Sequence, residues 1–323
     1  MVSKHNQDDL TVKWFPERLN IIWLKPLINY FFLPLFVKVM PGNYVFNLGN
    51  VAFPSKKKQF LLMHNAFAVC TDPQVYNKFP LIEQIKQKLM NAFIRFNLRF
   101  ADVVAVQTKN IQTKVEKITR KKPLIIPNVT AINAVFPSSY RILPTGQLRF
   151  LLLSKYYIHK NFEILIPLAK LIRQEKLPFE ISVTLDHSNT LENRFLQLVK
   201  REGLMNIISN LGFVPTNSLS SVYHEHDALL LPTLMESYSG TYTEAMTFCK
   251  PILTSDRDFA REVCGEGAIY FDPLNANDIL KKMKSAFSDI EQLQKSVETN
   301  LLSVHQNLNI HIGMANMILS SLK

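Results

Sequence analysis

Glycine is scarce in this chain, with nine residues in 323, the first of them Gly42. No glycine-rich turn can therefore lie in the first forty positions. Cysteine is scarcer still. Cys70, Cys249 and Cys264 are odd in number, far apart and without metal-ligand spacing, which argues against a disulfide framework or a zinc site and fits a reducing compartment. The opening MVSKHNQDDLTVKWF lacks the charged-then-apolar pattern of a secretory leader, so the expected location is cytoplasmic. No long uninterrupted apolar run is present either. The stretch 21–40 approaches the length of a spanning helix, but Lys25, Pro26, Asn29, Pro34 and Lys38 break it, and one or two buried or interfacial helices are expected there. Internal repeats and low-complexity tracts are also missing.

What remains is a globular composition, 47% hydrophobic and 20% charged, long enough for two domains. The net charge of +11 is uneven: residues 1–146 hold 20 Lys+Arg against 7 Asp+Glu, whereas the rest is close to neutral. A basic half of this kind suits an anionic partner such as an acidic membrane surface, or is simply a solvated lysine-rich surface.

Short apolar strands at 44–46, 60–63, 103–106 and 124–126 alternate with helical-period segments at 81–99 and 109–118. Residues 137–146 are polar, turn-rich and proline-bracketed, as expected of a linker. Beyond them strands are expected at 149–153, 180–185, 207–211, 228–231, 252–254 and 268–271, and helices at 161–174, 191–201, 219–226, 243–248 and 277–288. The alternation predicts an α/β fold of two Rossmann-like domains with parallel sheets. The first spans residues 1–145, the second 146–305, and a C-terminal helix follows at 306–323. Doubly wound sheets place ligands beyond the carboxyl ends of their strands.

The strand expected at 228–231 runs into PTLMESYSGTYTEAM. Glu236 in this loop can accept hydrogen bonds from hydroxyls, and Glu244, about two turns into the following helix, can reach a ribose. Between them, Ser239, Gly240 and Thr241 bring backbone N–H groups to the positive end of a helix dipole, a cradle for phosphate oxygens. The loop after 149–153 reads SKYYIHKN and carries Lys155 and Lys160, fixed cations of the kind that stabilise a departing diphosphate. Taken singly, each is an ordinary surface lysine or glutamate. His64, in LLMHNAF, ends an apolar strand.

These two segments, in this order and separation, resemble the donor site of glycosyltransferase family 4, retaining enzymes of the GT-B fold that include bacterial lipopolysaccharide and polysaccharide transferases. The likeness runs from about Phe150 to Met283 and takes in LGFV, SVYHEHDALLLPTLMES and KPILTSDRDFAREVCGEGAIYFDP; FLLMHNAF, ADVVAVQT and PLIIPN extend it into the first half. The resemblance implies that Glu236 contacts the donor sugar and Lys160 the diphosphate. Ser239, Gly240 and Thr241 would meet phosphates or sugar, Glu244 the ribose, and Phe213 and Val214 the base. His64 would stand in the cleft near the transferring sugar, making Glu236, His64 and Lys160 the catalytic candidates. Lys155 stands where the family commonly has arginine, a point charge in place of a bidentate fork.

The donor so implied is a UDP- or GDP-sugar, used without cofactor or metal. The acceptor would be a glycan or lipid-linked glycan at the inner membrane face, and nucleic acid is not an expected partner. The family's first strand and glycine-rich loop are not recognisable here. A degenerate GT-B protein that binds nucleotide or a partner without catalysis therefore stays open, as does a nucleotide-sugar epimerase.

Overall fold

The computed structural model describes residues 24–127, 146–187 and 189–304. The expected linker, save Gly146 itself, and the expected helix at 306–323 lie outside them.

The described chain begins with α1 (Lys25–Leu27), a π-helical turn (Ile28–Phe32) and α2 (Leu33–Val39). The first domain then follows as β1 (Tyr44–Asn47), β2 (Lys58–Met63), α3 (Pro73–Tyr76), α4 (Leu81–Asn97), β3 (Val103–Val106), α5 (Lys109–Thr119) and β4 (Leu124–Ile125). The strands lie in sequence order, all parallel, with Phe46 opposite Phe60 and Leu61 opposite Val104. Parallel strands are covered on both faces, and so β2 and β3 are nearly continuous apolar runs. Leu61, Met63, Val104 and Val106 pack against Ile94 and Leu98 of the α4 region and Ile111 and Val115 of α5. The Asp72 side chain caps α3 by accepting from the Gln74 N–H at 2.9 Å. Arg120, in the left-handed region at φ 56°, ends α5.

The second domain is a six-stranded parallel sheet in the order β10-β9-β8-β5-β6-β7. Its elements are β5 (Leu148–Leu152), α6 (Leu165–Gln174), β6 (Phe179–Val183), α7 (Thr190–Arg201), β7 (Ile208–Asn210), α8 (Leu219–His224), β8 (Ala228–Leu231), α9 (Gly240–Thr247), β9 (Ile252–Ser255), α10 (Asp258–Cys264), β10 (Ala268–Phe271) and α11 (Ala276–Ala286). A last helix occupies 290–304. Successive side chains of a strand point to opposite faces, and here that period divides the core in two. Phe150, Leu152 and Leu230 join the cluster under α6, α7 and α11. Leu151, Leu229 and Leu231 join the one under α8, α9 and α10. Each such side chain, fully buried, contributes about 1.5–3 kcal/mol.

The chain leaves β5 towards β6 on one side and returns to β8 on the other. The loops after β5 and β8 therefore diverge at the topological switch point, where doubly wound sheets open a crevice. The first domain closes this crevice from above. Leu234 and Met235, beyond β8, pack with Ala66, Val75 and Tyr76 of the first domain. Glu262 of α10 accepts from the N–H groups of Lys109 and Asn110 at the start of α5, and Lys114 pairs with Asp258 at 3.0 Å. Among the described residues no helix is long and apolar enough to cross a membrane.

Candidate functional site

The loops after β5 and β8 are joined by three contacts. The Leu234 N–H donates to the carbonyl of His159 at 2.8 Å, and the Thr241 hydroxyl donates to the carbonyl of Leu153 at 3.3 Å. The third is an ion pair between Lys160 Nζ and Glu236 Oε2, with side chains only 12% and 19% exposed. Lys160 reaches this place because a 3-10 turn (Ile158–Lys160) ends at Asn161, held in the left-handed region at φ 60°. Asn161 is buried, and its amide donates to the Pro273 carbonyl at 2.8 Å, which fixes the reversal.

Ser239 is the N-cap of α9 and Gly240 its first residue; the Ser239 hydroxyl makes no capping hydrogen bond. Two early N–H groups and a dipole end thus face the Lys160–Glu236 pair's loop, an arrangement suited to phosphate. Because α9 begins at Gly240, Glu244 stands little more than one turn in, nearer the loop than the two turns expected from the sequence. The Tyr223 hydroxyl donates to Glu244 at 3.2 Å, while burial pushes the Glu244 carboxyl above its ordinary value, opposed by that hydrogen bond. Val214 packs against the cluster that contains Tyr223, which connects the loop after β7 to Glu244. Phe213 is exposed on the same loop, beyond the edge strand β7, and is not in the group formed by Lys160, Glu236 and α9. Lys155 is exposed beyond β5.

His64 lies across the cleft at the end of β2. Its backbone carbonyl accepts from the Ser237 hydroxyl at 2.7 Å, so the residue next to Glu236 touches the residue that the sequence singles out in the other domain. Asn50 fixes the ring. Its Oδ1 accepts from the N–H groups of His64 and Asn65 at 2.7 and 2.9 Å, which turns its Nδ2 towards His64 Nε2 at 3.0 Å. An amide nitrogen only donates, so Nε2 must accept and Nδ1 must carry the proton. Burial lowers the His64 pKa, and protonation would set an Nε2–H against the Asn50 NH₂. Both effects favour the neutral imidazole.

Sequence reasoning gave no role to Asn50, Ser237 or His159. Asn50, at φ 66°, belongs to an LGN turn whose only sequence signal is a residue tolerant of the left-handed region. His159 stacks on Tyr157, with centroids 5.4 Å apart, and meets Phe67 of the first domain edge-on at 5.2 Å. Burial, with Lys160 beside it, pushes its pKa down to about 3, so it packs as a neutral ring. Glu236 also borders a cleft pocket of about 500 Å³, with Asp72 and Lys114 from the first domain and Arg257 from the second. The guanidinium of Arg257 bonds Gln74 Oε1 at 2.5 Å and lies 3.6 Å from Asp72, while its Nε is buried without a partner. Among the described residues no group of three His, Cys, Asp or Glu side chains could hold a metal.

Two parallel-sheet domains facing each other, with the site at the switch point of the second, define the GT-B fold. Residues 141–300, just under half of the chain, match the family described as glycosyl transferases group 1. Among curated proteins, the O-antigen chain mannosyltransferase RfbU of Salmonella typhimurium is 28% identical over 148 residues, 46% of this chain and 40% of the relative. Among solved structures, the sucrose-phosphate synthase of Thermosynechococcus elongatus superposes with TM-score 0.69 at 14% identity, over 90% of this chain and 77% of that one. TarM of S. aureus, solved with UDP, fondaparinux and alpha-GlcNAc-glycerol, gives TM-score 0.65 at 13% identity, over 82% of this chain and 51% of that one. These matches thus take in about half or less of RfbU and TarM.

Proposed function

We propose that the chain is a retaining glycosyltransferase of the family 4 type that moves a sugar from a UDP- or GDP-sugar to a glycan or lipid-linked acceptor in cell-surface polysaccharide synthesis. The observation that carries this reading is the Lys160–Glu236 pair, held where the loops after β5 and β8 meet the N-terminus of α9. In the proposed complex the donor diphosphate lies on Lys160 and on the N–H groups of Gly240 and Thr241, with Lys155 at its outer edge. Glu236, freed from Lys160, accepts from sugar hydroxyls, and Glu244 accepts from the ribose. Phe213 and Val214 border the base.

As the bond from the anomeric carbon to the diphosphate oxygen lengthens, negative charge grows on the leaving group. Fixed cations and backbone donors stabilise that charge without reorganising, so they favour the transition state over bound substrate. The sugar becomes oxocarbenium-like, and the acceptor oxygen attacks from the face the diphosphate leaves, which retains configuration. The acceptor proton passes to the departing phosphate oxygen. In this scheme Lys155, Lys160 and the start of α9 supply the positive charge, and no metal is required. His64, neutral with its proton on Nδ1, donates a hydrogen bond to the transferring sugar. RfbU, an O-antigen mannosyltransferase by name, and TarM, solved with UDP, support the choice of substrate class. The basic first domain is suited to an acceptor carried at the inner face of a membrane.

The test is the anomeric configuration of the product, read by NMR from the coupling at the new linkage with the accepted donor and a lipid extract as acceptor source. An α-linked product from an α-linked donor is expected. An inverted product would contradict the front-face mechanism, and sugar epimerised without an acceptor would move the chain to the epimerase class.

A further inference from the structure

In a helix on the surface of a globular protein the apolar face turns inward. α4 is turned the other way. Leu81, Ile82, Ile85, Leu89 and Phe96 are 71%, 67%, 50%, 57% and 49% exposed, and at the α-helical period they share an arc of about 100°. Its buried residues, by contrast, are Asn91, Ile94 and Asn97. Both asparagines are satisfied: the Asn91 amide donates to the Tyr76 hydroxyl at 2.6 Å, and Asn97 donates to the Phe93 carbonyl at 2.7 Å and accepts from the Tyr30 hydroxyl at 3.0 Å. These bonds fix the rotation of the helix, so the apolar face cannot roll inward. From Leu81 to Phe96 the exposed ridge runs about 22 Å.

Charge says what the ridge meets. Lys86 lies on one shoulder of the apolar arc, and Lys88 and Arg95 on the other. Glu83 is the only acid on the helix, paired with Lys86 at 2.7 Å. A second copy of this basic domain would bring like charges together; an acidic lipid surface would not. Apolar side chains between basic shoulders are the pattern of a helix that lies in a membrane interface. On the Lys88 and Arg95 side opens a pocket of about 410 Å³, lined also by Thr71 and Asn91. Thr71 in turn lines the cleft pocket that holds Glu236.

We propose that the outer face of α4 is a docking surface for an anionic lipid bilayer, with Leu81, Ile82, Ile85 and Leu89 entering the acyl boundary and Lys86 and Lys88 meeting lipid phosphates. Docked in this way, the pocket of Lys88 and Arg95 opens at headgroup level and leads by way of Thr71 to the cleft. A lipid-linked acceptor reaches Glu236 along that path; this last step alone rests on the transferase reading.

The experiment is co-sedimentation of the full chain with vesicles of phosphatidylcholine alone and with about one-third phosphatidylglycerol, beside the double variants I85E/L89E and K86E/K88E. The unmodified chain should sediment only with the anionic vesicles. I85E/L89E should lose more than about tenfold in partition. K86E/K88E should lose binding as well, with a weaker salt dependence than the unmodified chain. Residues 85 and 89 are exposed, so the circular dichroism and melting temperature of that variant should not change. Sedimentation of I85E/L89E equal to the unmodified chain would overturn the proposal, as would equal binding to neutral vesicles. A dimer that I85E/L89E converts to monomer in light scattering, without vesicle binding by either, would overturn it in favour of a second copy of the chain. None of these readouts needs a sugar donor, so they can fail or succeed apart from the transferase reading.

Discussion

Removing the Lys160 ammonium isolates the Glu236 carboxylate. Both side chains are less than one-fifth exposed, so Lys160→Ala leaves a largely desolvated carboxylate with no cation. Breaking a fully buried pair from one side costs about 3–5 kcal/mol, and an unsatisfied buried polar group about 1–3 kcal/mol. The residual exposure of this pair puts the loss of stability near the lower range, about 1–3 kcal/mol. In a domain of this size that lowers the melting temperature by roughly 2–4 °C for each kcal/mol. Turnover should fall further, because a fixed donor to a developing anion contributes about 10²–10³ in kcat. The double variant Lys160→Ala/Glu236→Ala separates the effects. It removes both charges, so its melting temperature should lie above the sum of the two single losses, while activity stays as low as in the worse single variant. The assay is a thermal melt of the four proteins beside nucleotide release at saturating donor. If Lys160→Ala keeps full turnover, or the two stability losses simply add, the pair is a surface accident and the argument from it fails.

Three further outcomes follow from the geometry. Asn50→Ala removes both backbone hydrogen bonds that hold the His64 turn and puts alanine at φ 66°. It should cost about 1–3 kcal/mol in a denaturant melt and raise the pH at which His64 titrates, read from its ring resonances. In the proposed complex Glu244 accepts from the ribose most strongly when ionised, and its pKa lies above the ordinary value. Donor affinity by calorimetry should thus weaken as pH falls through that raised pKa, and Glu244→Gln should abolish this acid limb. The sign for stability is opposite, since the folded state binds the proton more readily than the unfolded chain and gains stability over the same window as pH falls. Glu262→Ala uncaps α5 from the other domain, and should loosen the closed cleft, seen as faster amide exchange at the start of α5, with a loss of about 0.5–2 kcal/mol.

The ten strands among the described residues lie within a residue or two of the positions read from the apolar runs; those buried on both faces, such as β8, leave the clearest local signature. The helix entry at Ser239-Gly240 was legible for a similar reason: a short apolar run, then Ser-Gly, then a helix, is a local pattern. The helical period alone picked out only 243–248; the Thr241 hydroxyl bonds Leu153 and Tyr242 bonds Thr254 at 2.7 Å, tertiary contacts that hold the first turn of α9 back to Gly240. The same limit hid Asn50, whose partners lie fourteen and fifteen residues away, and Ser237, which acts across 173 residues. The helix expected from Asn161 begins instead at Leu165, after a 3-10 turn, since Asn161 takes a left-handed conformation to bind Pro273. For α4, periodicity showed an amphipathic helix but not which face turns inward; Tyr30 and Tyr76 decide that through Asn97 and Asn91.

The central claim is that Lys160 and Glu236 serve sugar transfer, and nucleotide release from purified protein tests it most directly. UDP- and GDP-sugars would be screened with and without a membrane lipid extract, alongside Lys160→Ala and Glu236→Ala. The account predicts release that needs the extract, favours one base, and is lost in both variants. Donor binding without release under any of these conditions would contradict it and leave a GT-B protein that holds a nucleotide but transfers nothing.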